Sequence, residues 1–406
     1  MRLLSNSLLP RFENADNTKA PLVTSLDSCL AVADLITKPL HVVTPLVLST
    51  TLSARTGHNI YLKLDAAQPA GSFKLRGIGR TCQEAYSIHG PRTHIIAASG
   101  GNAGLAAAES AKRLGLRCTV VVPKRTETSV IARLQSLGAH VENGEAEVLD
   151  DADAIARAMA AEDPVGVYVH PFADLSTALG HASIVQEIRD QLLDAGVKAG
   201  RPDIITCSVG GGGLLRGIIH GINGLIDEDP AFGSPKPKLI ACQDFGAHSF
   251  GKSWEQWLAD PEHEKVVRLD AITSQATSLG AKACSAAALS DAIAYARPRV
   301  SDPRAPAPYL STVIVDDAVS GSACWQFDRD EALMVEMSCG AALAGIYLNE
   351  RILKRVLPPG REGERLNIVV VVCGGSKVDR ETLERYESDY GTADVGWRVR
   401  IDGRDV

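Results

Sequence analysis

Ile204-Ile205-Thr206-Cys207-Ser208-Val209-Gly210-Gly211-Gly212-Gly213-Leu214 runs from a short apolar, β-branched stretch into four consecutive glycines and then into a helix-forming stretch over 214–221. Such a run suits a strand covered by helices on both faces, the situation of a central strand in a parallel sheet. The same strand, turn and helix rhythm recurs outward from it. Ile95-Ile96-Ala97-Ala98 leads through Ser99-Gly100-Gly101-Asn102 into an alanine-rich helical stretch over 103–114. Cys118-Thr119-Val120-Val121-Val122 stops at Pro123, and 129–137 reads as a helix closed by Gly138. Late in the chain, a continuous apolar strand over 368–372 ends at Cys373-Gly374-Gly375-Ser376. Repetition of this unit predicts an α/β fold of mostly parallel sheets flanked by helices. Ligands in such sheets bind beyond the carboxyl ends of the strands, where these glycine-rich turns fall. Three strand ends therefore point at one site.

The 406 residues are 45% hydrophobic and 22% charged, enough apolar material for a large core. A net charge of -7, with no Lys/Arg run interleaved with aromatics, argues against a nucleic-acid partner. The nine cysteines are scattered, without C-x-x-C pairs or histidine partners at metal-ligand spacing, and read as reduced thiols. The apolar run of the first twelve residues is broken and ends near Pro10, too weak for a secretory signal, and no apolar stretch approaches membrane-spanning length. The expectation is a soluble cytoplasmic protein with no membrane partner. Residues 1–39 lack periodicity and read as an N-terminal arm, the proline-rich 301–308 reads as an exposed loop, and there is no internal repeat.

Four clusters carry chemistry. In Gly71-Ser72-Phe73-Lys74-Leu75-Arg76-Gly77 one lysine sits at a turn that opens a helix. Partial burial and a helix N-terminus lower a lysine pKa and fix its geometry, as a Schiff-base lysine needs, although alone Lys74 reads more readily as a solvated surface residue than as a functional one. Ser99-Gly100-Gly101-Asn102-Ala103-Gly104 joins strand to helix, so its unpaired N–H groups converge where a carboxylate is welcome, or it is simply a tight turn. In Gly210-Gly211-Gly212-Gly213 the missing side chains let the main chain wrap a phosphate, and the spacing matches neither a P-loop nor the dinucleotide fingerprint. Cys373 at the fourth strand end is either a polar partner for a ring nitrogen or a buried structural cysteine.

In this order and at these separations the clusters resemble the fold-type II pyridoxal-5′-phosphate (PLP) enzymes, the two-lobed tryptophan synthase β-like group. More closely they are similar to the serine/threonine dehydratases of the mammalian L-serine dehydratase type, over about 40–377. Further matching stretches are Leu40-His41-Val42, Thr44-Pro45-Leu46, Gln68-Pro69, Phe245-Gly246-Ala247-His248-Ser249-Phe250, Val335-Glu336 and residues 339–344. The resemblance implies that Lys74 carries PLP as a Schiff base and acts as the general base. It implies that Phe73 packs beside the cofactor, Asn102 bonds its ring 3-oxygen, residues Gly210, Gly211, Gly212, Gly213 and Leu214 hold its phosphate, and Cys373 faces its pyridine nitrogen. Ser99, Gly100, Gly101 and Asn102 then hold the substrate carboxylate. A neutral thiol at the ring nitrogen gives a weaker electron sink than a carboxylate partner and favours prompt β-elimination.

The implied activity is PLP-dependent β-elimination of L-serine or L-threonine to a 2-oxo acid and ammonia. The implied architecture is a large domain from 1–73 and 175–406 with a small mobile domain over 74–174, in a homodimer. Two departures stand out. Mammalian-type members have a glutamate that helps hold a monovalent cation two residues before Phe-Gly-Ala-His, and this chain has Gln243 there. A K+ site would use Gln243 with the carbonyls of Gly210, Ala247, Leu279 and Ala281, with less charge. Gly100 stands where some relatives have alanine or serine, which changes the room around the substrate and removes the hydroxyl a serine racemase uses as second base. β-Replacement or racemisation of a β-hydroxy amino acid is the alternative reading, and a catalytically silent PLP-binding protein is disfavoured by the intact lysine and asparagine loop.

Overall fold

The chain enters a sheet with β1 (Leu46–Ser49) and β2 (Asn59–Lys63), and then leaves it to build β3 (His94–Ala98), β4 (Arg117–Val121), β5 (His140–Glu142) and β6 (Gly166–Tyr168). It returns with β7 (Ile204–Ser208), β8 (Lys238–Asp244), β9 (Leu310–Val315) and β10 (Asn367–Val371), and closes with β11 (Val399–Ile401) and β12 (Arg404–Asp405). This computed structural model describes residues 37–297, 309–361, 363–391 and 396–406. Residues 1–36 of the expected arm and the proline-rich 301–308 lie outside the described residues.

Two sheets result. The first has the order β1-β2-β10-β7-β8-β9-β11-β12, and its five central strands, β2 to β9 in that order, are mutually parallel with antiparallel additions at each edge. The second, β5-β4-β3-β6, is wholly parallel. Every residue of β7, β8 and β9 is buried, which is why their sequences are apolar on both faces rather than alternating. The second sheet has a smaller cluster of its own, where Ile96, Ala98 and Val121 meet Ala152 and Ala156 of the Leu149–Glu162 helix. Residues Pro39–Val406 nevertheless cluster as a single compact unit. No helix among the described residues is long and apolar enough to cross a membrane.

The helix after the glycine run extends over Gly213–Glu228, well beyond the 214–221 expected from sequence. Glycine lowers helix propensity, so Gly221 reads as an end. In the fold it is a contact residue. A Cβ on Gly217 would lie 2.4 Å from His181 Cβ, and one on Gly221 would lie 2.7 Å from Ala182 O. The Leu175–Asp194 helix therefore packs directly on this backbone, and on its other side a Cβ on Gly180 would lie 2.3 Å from Arg76 O of the Lys74–His89 helix. Three helices are thus packed at backbone contact, and the middle one supports the first turn of the helix that begins with Lys74.

Beneath that turn Arg76, fully buried, makes two bidentate pairs. It donates to both oxygens of Asp65 (2.7 and 2.8 Å) and both of Glu187 (2.6 and 2.8 Å). Lys63 at the end of β2 also reaches Glu187, at 2.6 Å. Burial alone would raise the Glu187 pKa, but its hydrogen bonds from Arg76 and Lys63 hold it below the usual value. Charges withdrawn from water are tolerable only when paired in this way.

Candidate active site

The carboxyl ends of β3, β7 and β10 open on one cavity of about 700 Å³, within the range of small-molecule sites. Its walls include all four clusters singled out in the sequence. Phe73 precedes the Lys74–His89 helix, and the turn before it is stitched to the end of β10. Phe73 N donates to Cys373 O at 3.2 Å, and Gly375 N donates to Gly71 O at 3.0 Å. Lys74 Nζ stands 4.9 Å from the Phe73 ring centre and 3.4 Å from Pro171 O. Burial lowers its pKa to about 8, with Cys373 and Glu336 opposing the shift. A lysine near this value holds a far larger neutral fraction at physiological pH than an ordinary lysine, and the neutral amine is the form a nucleophile or proton acceptor requires.

The glycine run lines the same cavity as Lys74. The N–H groups of Gly210, Gly211, Gly212 and Gly213 have no backbone acceptor among the described residues, and the run opens the Gly213–Glu228 helix, where the macrodipole favours an anion. Gly212 holds φ +94°, a left-handed conformation that suits glycine. The rest of the run is short of space, because a Cβ on Gly211 would lie 2.3 Å from the Phe172 ring, one on Gly213 3.0 Å from Phe172 Cα and one on Gly210 3.1 Å from Leu279 Cα. Leu214 follows, buried, in the first turn of the helix. Free donors, no intruding side chains and a neighbouring amine fit a phosphate-bearing aldehyde cofactor.

The second donor set is formed by residues 99–102 after β3. Gly100, Gly101 and Asn102 offer N–H groups without backbone acceptors among the described residues, at the start of the Asn102–Leu114 helix, and Ser99, whose own N–H is taken by Val121 O at 3.1 Å, lines the same wall. A Cβ on Gly100 would lie 2.5 Å from Thr126 Oγ1, so a threonine hydroxyl crowds the place where other sequences have a side chain. The Asn102 side chain is fixed at both ends. Its Oδ1 accepts from Ser376 N and Ser376 Oγ, each at 3.0 Å, and its Nδ2 donates to Glu336 Oε1 at 3.0 Å and Ser278 Oγ at 3.3 Å.

Cys373 is buried, and contact with the Cys339 thiol together with burial pushes its pKa well above the usual value, so it is a neutral thiol. Glu336 was not singled out as a site residue in the sequence, yet it is a buried carboxylate on the cavity wall. It accepts from Asn102 Nδ2, from Lys377 N at 2.9 Å and from Ser278 Oγ at 2.5 Å. Its sequence signal is faint, because a lone glutamate before a helix of small residues reads as an ordinary N-terminal acid. Gly375, at φ +130°, gives the complementary clue, since a Cβ there would lie 2.2 Å from Glu336 Cδ.

Several of the residues named for a cation are neighbours, and the oxygens of Gln243, Ala247, Leu279 and Ala281 accept hydrogen bonds. Gln243 turns its amide nitrogen toward the main chain, donating to Val209 O at 2.6 Å and Ala247 O at 3.1 Å. Leu279 O accepts from Ala281 N at 2.7 Å, and Ala281 O accepts from Ser249 Oγ at 3.0 Å. The Gln243 oxygen, expected to help ligate K+, accepts from Gly251 N at 2.7 Å. Gly210 remains in contact with Leu279, its Cβ position lying 3.1 Å from Leu279 Cα. No group of three or more His, Cys, Asp or Glu side chains among the described residues is arranged to hold a metal ion.

Comparison with known proteins follows the same lines. The family profile described as pyridoxal-phosphate dependent enzyme matches residues 37–374. The mouse protein "L-serine dehydratase/L-threonine deaminase" is 38% identical over 353 residues, covering 87% of this chain and 96% of that protein. The human "Serine dehydratase-like" protein is 37% identical, with 87% and 96% covered. A solved fungal L-serine ammonia-lyase from Rhizomucor miehei superposes with a TM-score of 0.71 at 30% identity, covering 86% of this chain and 99% of that one. With the lysine, the glycine cradle and the fold all in place, the chain belongs to the pyridoxal-phosphate dependent enzyme family.

Proposed function

We propose that the chain is an ammonia-lyase that removes the β-hydroxyl and the amino group of L-serine or L-threonine, yielding a 2-oxo acid and ammonia. The observation that carries this reading is the placement of one lysine of lowered pKa in a cavity that also holds two separate sets of unpaired N–H groups. One set suits a phosphate and the other a carboxylate, and an α-amino acid bound to a phosphorylated cofactor presents both. The named relatives support the substrate class.

PLP, when bound, draws off the negative charge left at the α-carbon. The N–H groups of residues 210–213, followed by Leu214, would hold its phosphate, Phe73 would pack beside its ring, and Asn102 would bond its 3-oxygen. Ser376 and Glu336 hold the amide in place, and the hydrogen now given to Ser278 Oγ at 3.3 Å is the one Asn102 would turn to the cofactor oxygen. The N–H groups beyond β3 would orient the substrate carboxylate. Lys74 Nζ takes the α-proton, and its pKa lowered to about 8 enlarges the neutral, proton-accepting fraction near neutral pH. Hydroxide departs from Cβ, and hydrolysis of the released dehydrated amino acid gives the 2-oxo acid and ammonia. Cys373, as a neutral thiol, offers the ring nitrogen no compensating charge, which favours early loss of the β-substituent over storage of charge. No step uses a cation.

Segment 74–174 carries the four-stranded sheet and acts as the small lobe that closes on substrate. The enzyme works as a cytoplasmic homodimer, as the family resemblance implies. The test is to incubate PLP-loaded protein with L-serine, L-threonine and D-serine and to measure ammonia, 2-oxo acid and substrate chirality. Formation of 2-oxo acid from an L-substrate is expected. Inverted substrate would make it a racemase, and amino-acid binding without either product would point to β-replacement.

A further inference from the structure

Gln243 is the penultimate residue of β8 and is fully buried, so each of its polar atoms needs a partner. Its Nε2 donates to Val209 O at 2.6 Å, one residue before the glycine run, and to Ala247 O at 3.1 Å in the loop that follows β8. Its Oε1 accepts from Gly251 N at 2.7 Å, one of the free donors in the first turn of the Ser249–Ala259 helix. This last bond sets the orientation of the amide. Flipping it would turn the NH2 onto a donor and the oxygen onto two carbonyl oxygens, three clashes in place of three hydrogen bonds.

The NH2 group therefore stands between two carbonyl oxygens that converge beneath the phosphate cradle, supplying a hydrogen to each. A monovalent cation needs several inward-facing oxygen lone pairs, and here the side-chain oxygen points away. Two further carbonyls of the neighbourhood, Leu279 O and Ala281 O, already accept from Ala281 N and Ser249 Oγ.

We propose that Gln243 is a positioning residue whose carboxamide does internally what a glutamate-held monovalent cation would do. It ties the end of β7 to the 245–251 segment and fixes the floor of the glycine run, so that cofactor binding is independent of monovalent cations. The proposal rests on the reading of residues 210–213 as the phosphate cradle.

The experiment measures the PLP dissociation constant by absorbance titration, and the melting temperature of the holoenzyme, in KCl, NaCl and choline chloride at equal ionic strength. Both are expected to be unchanged for the natural protein across the three salts, within about twofold in affinity. Gln243→Met removes both donated hydrogens at similar volume. PLP binding is expected to weaken at least roughly tenfold in every salt, because two buried acceptors, Val209 O and Ala247 O, are left unpaired. Gln243→Glu sets a carboxylate against two carbonyls, so its PLP affinity is expected to fall by a similar factor in choline and to recover in K+. A natural protein that loses PLP affinity in choline and regains it with K+ overturns the proposal, with no variant needed. Full affinity in Gln243→Met also overturns it. If no PLP band forms in any salt, the reading of the glycine run itself fails, an outcome distinct from a band that depends on K+.

Discussion

At Lys74 two physical effects compete, and burial wins. Withdrawal from water brings the ammonium pKa down to about 8 although Cys373 and Glu336 oppose the shift. Attack on an aldehyde requires the neutral amine. The rate of PLP capture by the apoprotein should therefore rise with pH through a midpoint near 8 and level off about one to two units above it, rather than have its midpoint in the ordinary lysine range near 10.4, and stopped-flow absorbance checks this. Glu336→Gln is a second test at this scale. It keeps the side-chain shape but replaces by an NH2 either the oxygen that accepts from Asn102 Nδ2 and Lys377 N or the one that accepts from Ser278 Oγ, and removes the negative charge they share. Loss of that anchoring should lower kcat more than tenfold while the protein still binds PLP. Glu336 shows what sequence leaves hidden. A carboxylate before a helix has the same local signature whether it caps in solvent or anchors a cavity wall, and only the fold brings residues 102, 278 and 377 to it.

The elements at the carboxyl ends of the strands were the legible part. Four consecutive glycines after a strand have a local physical meaning, and so do a strand ending at Ser99-Gly100-Gly101-Asn102 and one ending at Cys373, because backbone conformation and strand burial are written in adjacent residues. Interactions across elements were not legible. Arg76 has no local signal that it clamps Asp65 and Glu187 from two other elements, and Gly221 reads as a helix stop although it is a packing contact. Two substitutions test these elements. Gly211→Ala drives a methyl to within 2.3 Å of the Phe172 ring. It should cost about 1–3 kcal/mol of stability and weaken PLP binding at least tenfold, read by melting and absorbance titration. Arg76→Met leaves two buried carboxylates without their clamp. A loss of about 3–5 kcal/mol in chemical denaturation is expected.

Across the whole molecule, the chain builds part of one sheet, leaves to build a second, and returns, so that residues 72–76 and 373–376 meet although some three hundred positions separate them. That return assembles the site from three strand ends. It also buries titratable groups on several elements. His41 and His248 are each lowered to about 4, by burial first and then by Arg76 and Lys252 respectively. Unfolded, both bind a proton near pH 6.5. Their contribution to stability is therefore complete above that pH and is lost as pH falls from about 6.5 to about 4, because the unfolded chain takes up protons that the folded one refuses. The melting temperature should decline across this window. The central claim, that one amine of the chain carries the cofactor, is a choice among lysines, since Lys74, Lys282 and Lys377 all line the same cavity. Reduction of the PLP-loaded protein with borohydride, digestion and mass spectrometry tests it most directly. The expected result is a phosphopyridoxyl label on the peptide containing Lys74 and on no other. A label on Lys282 or Lys377, or no label, would contradict the account.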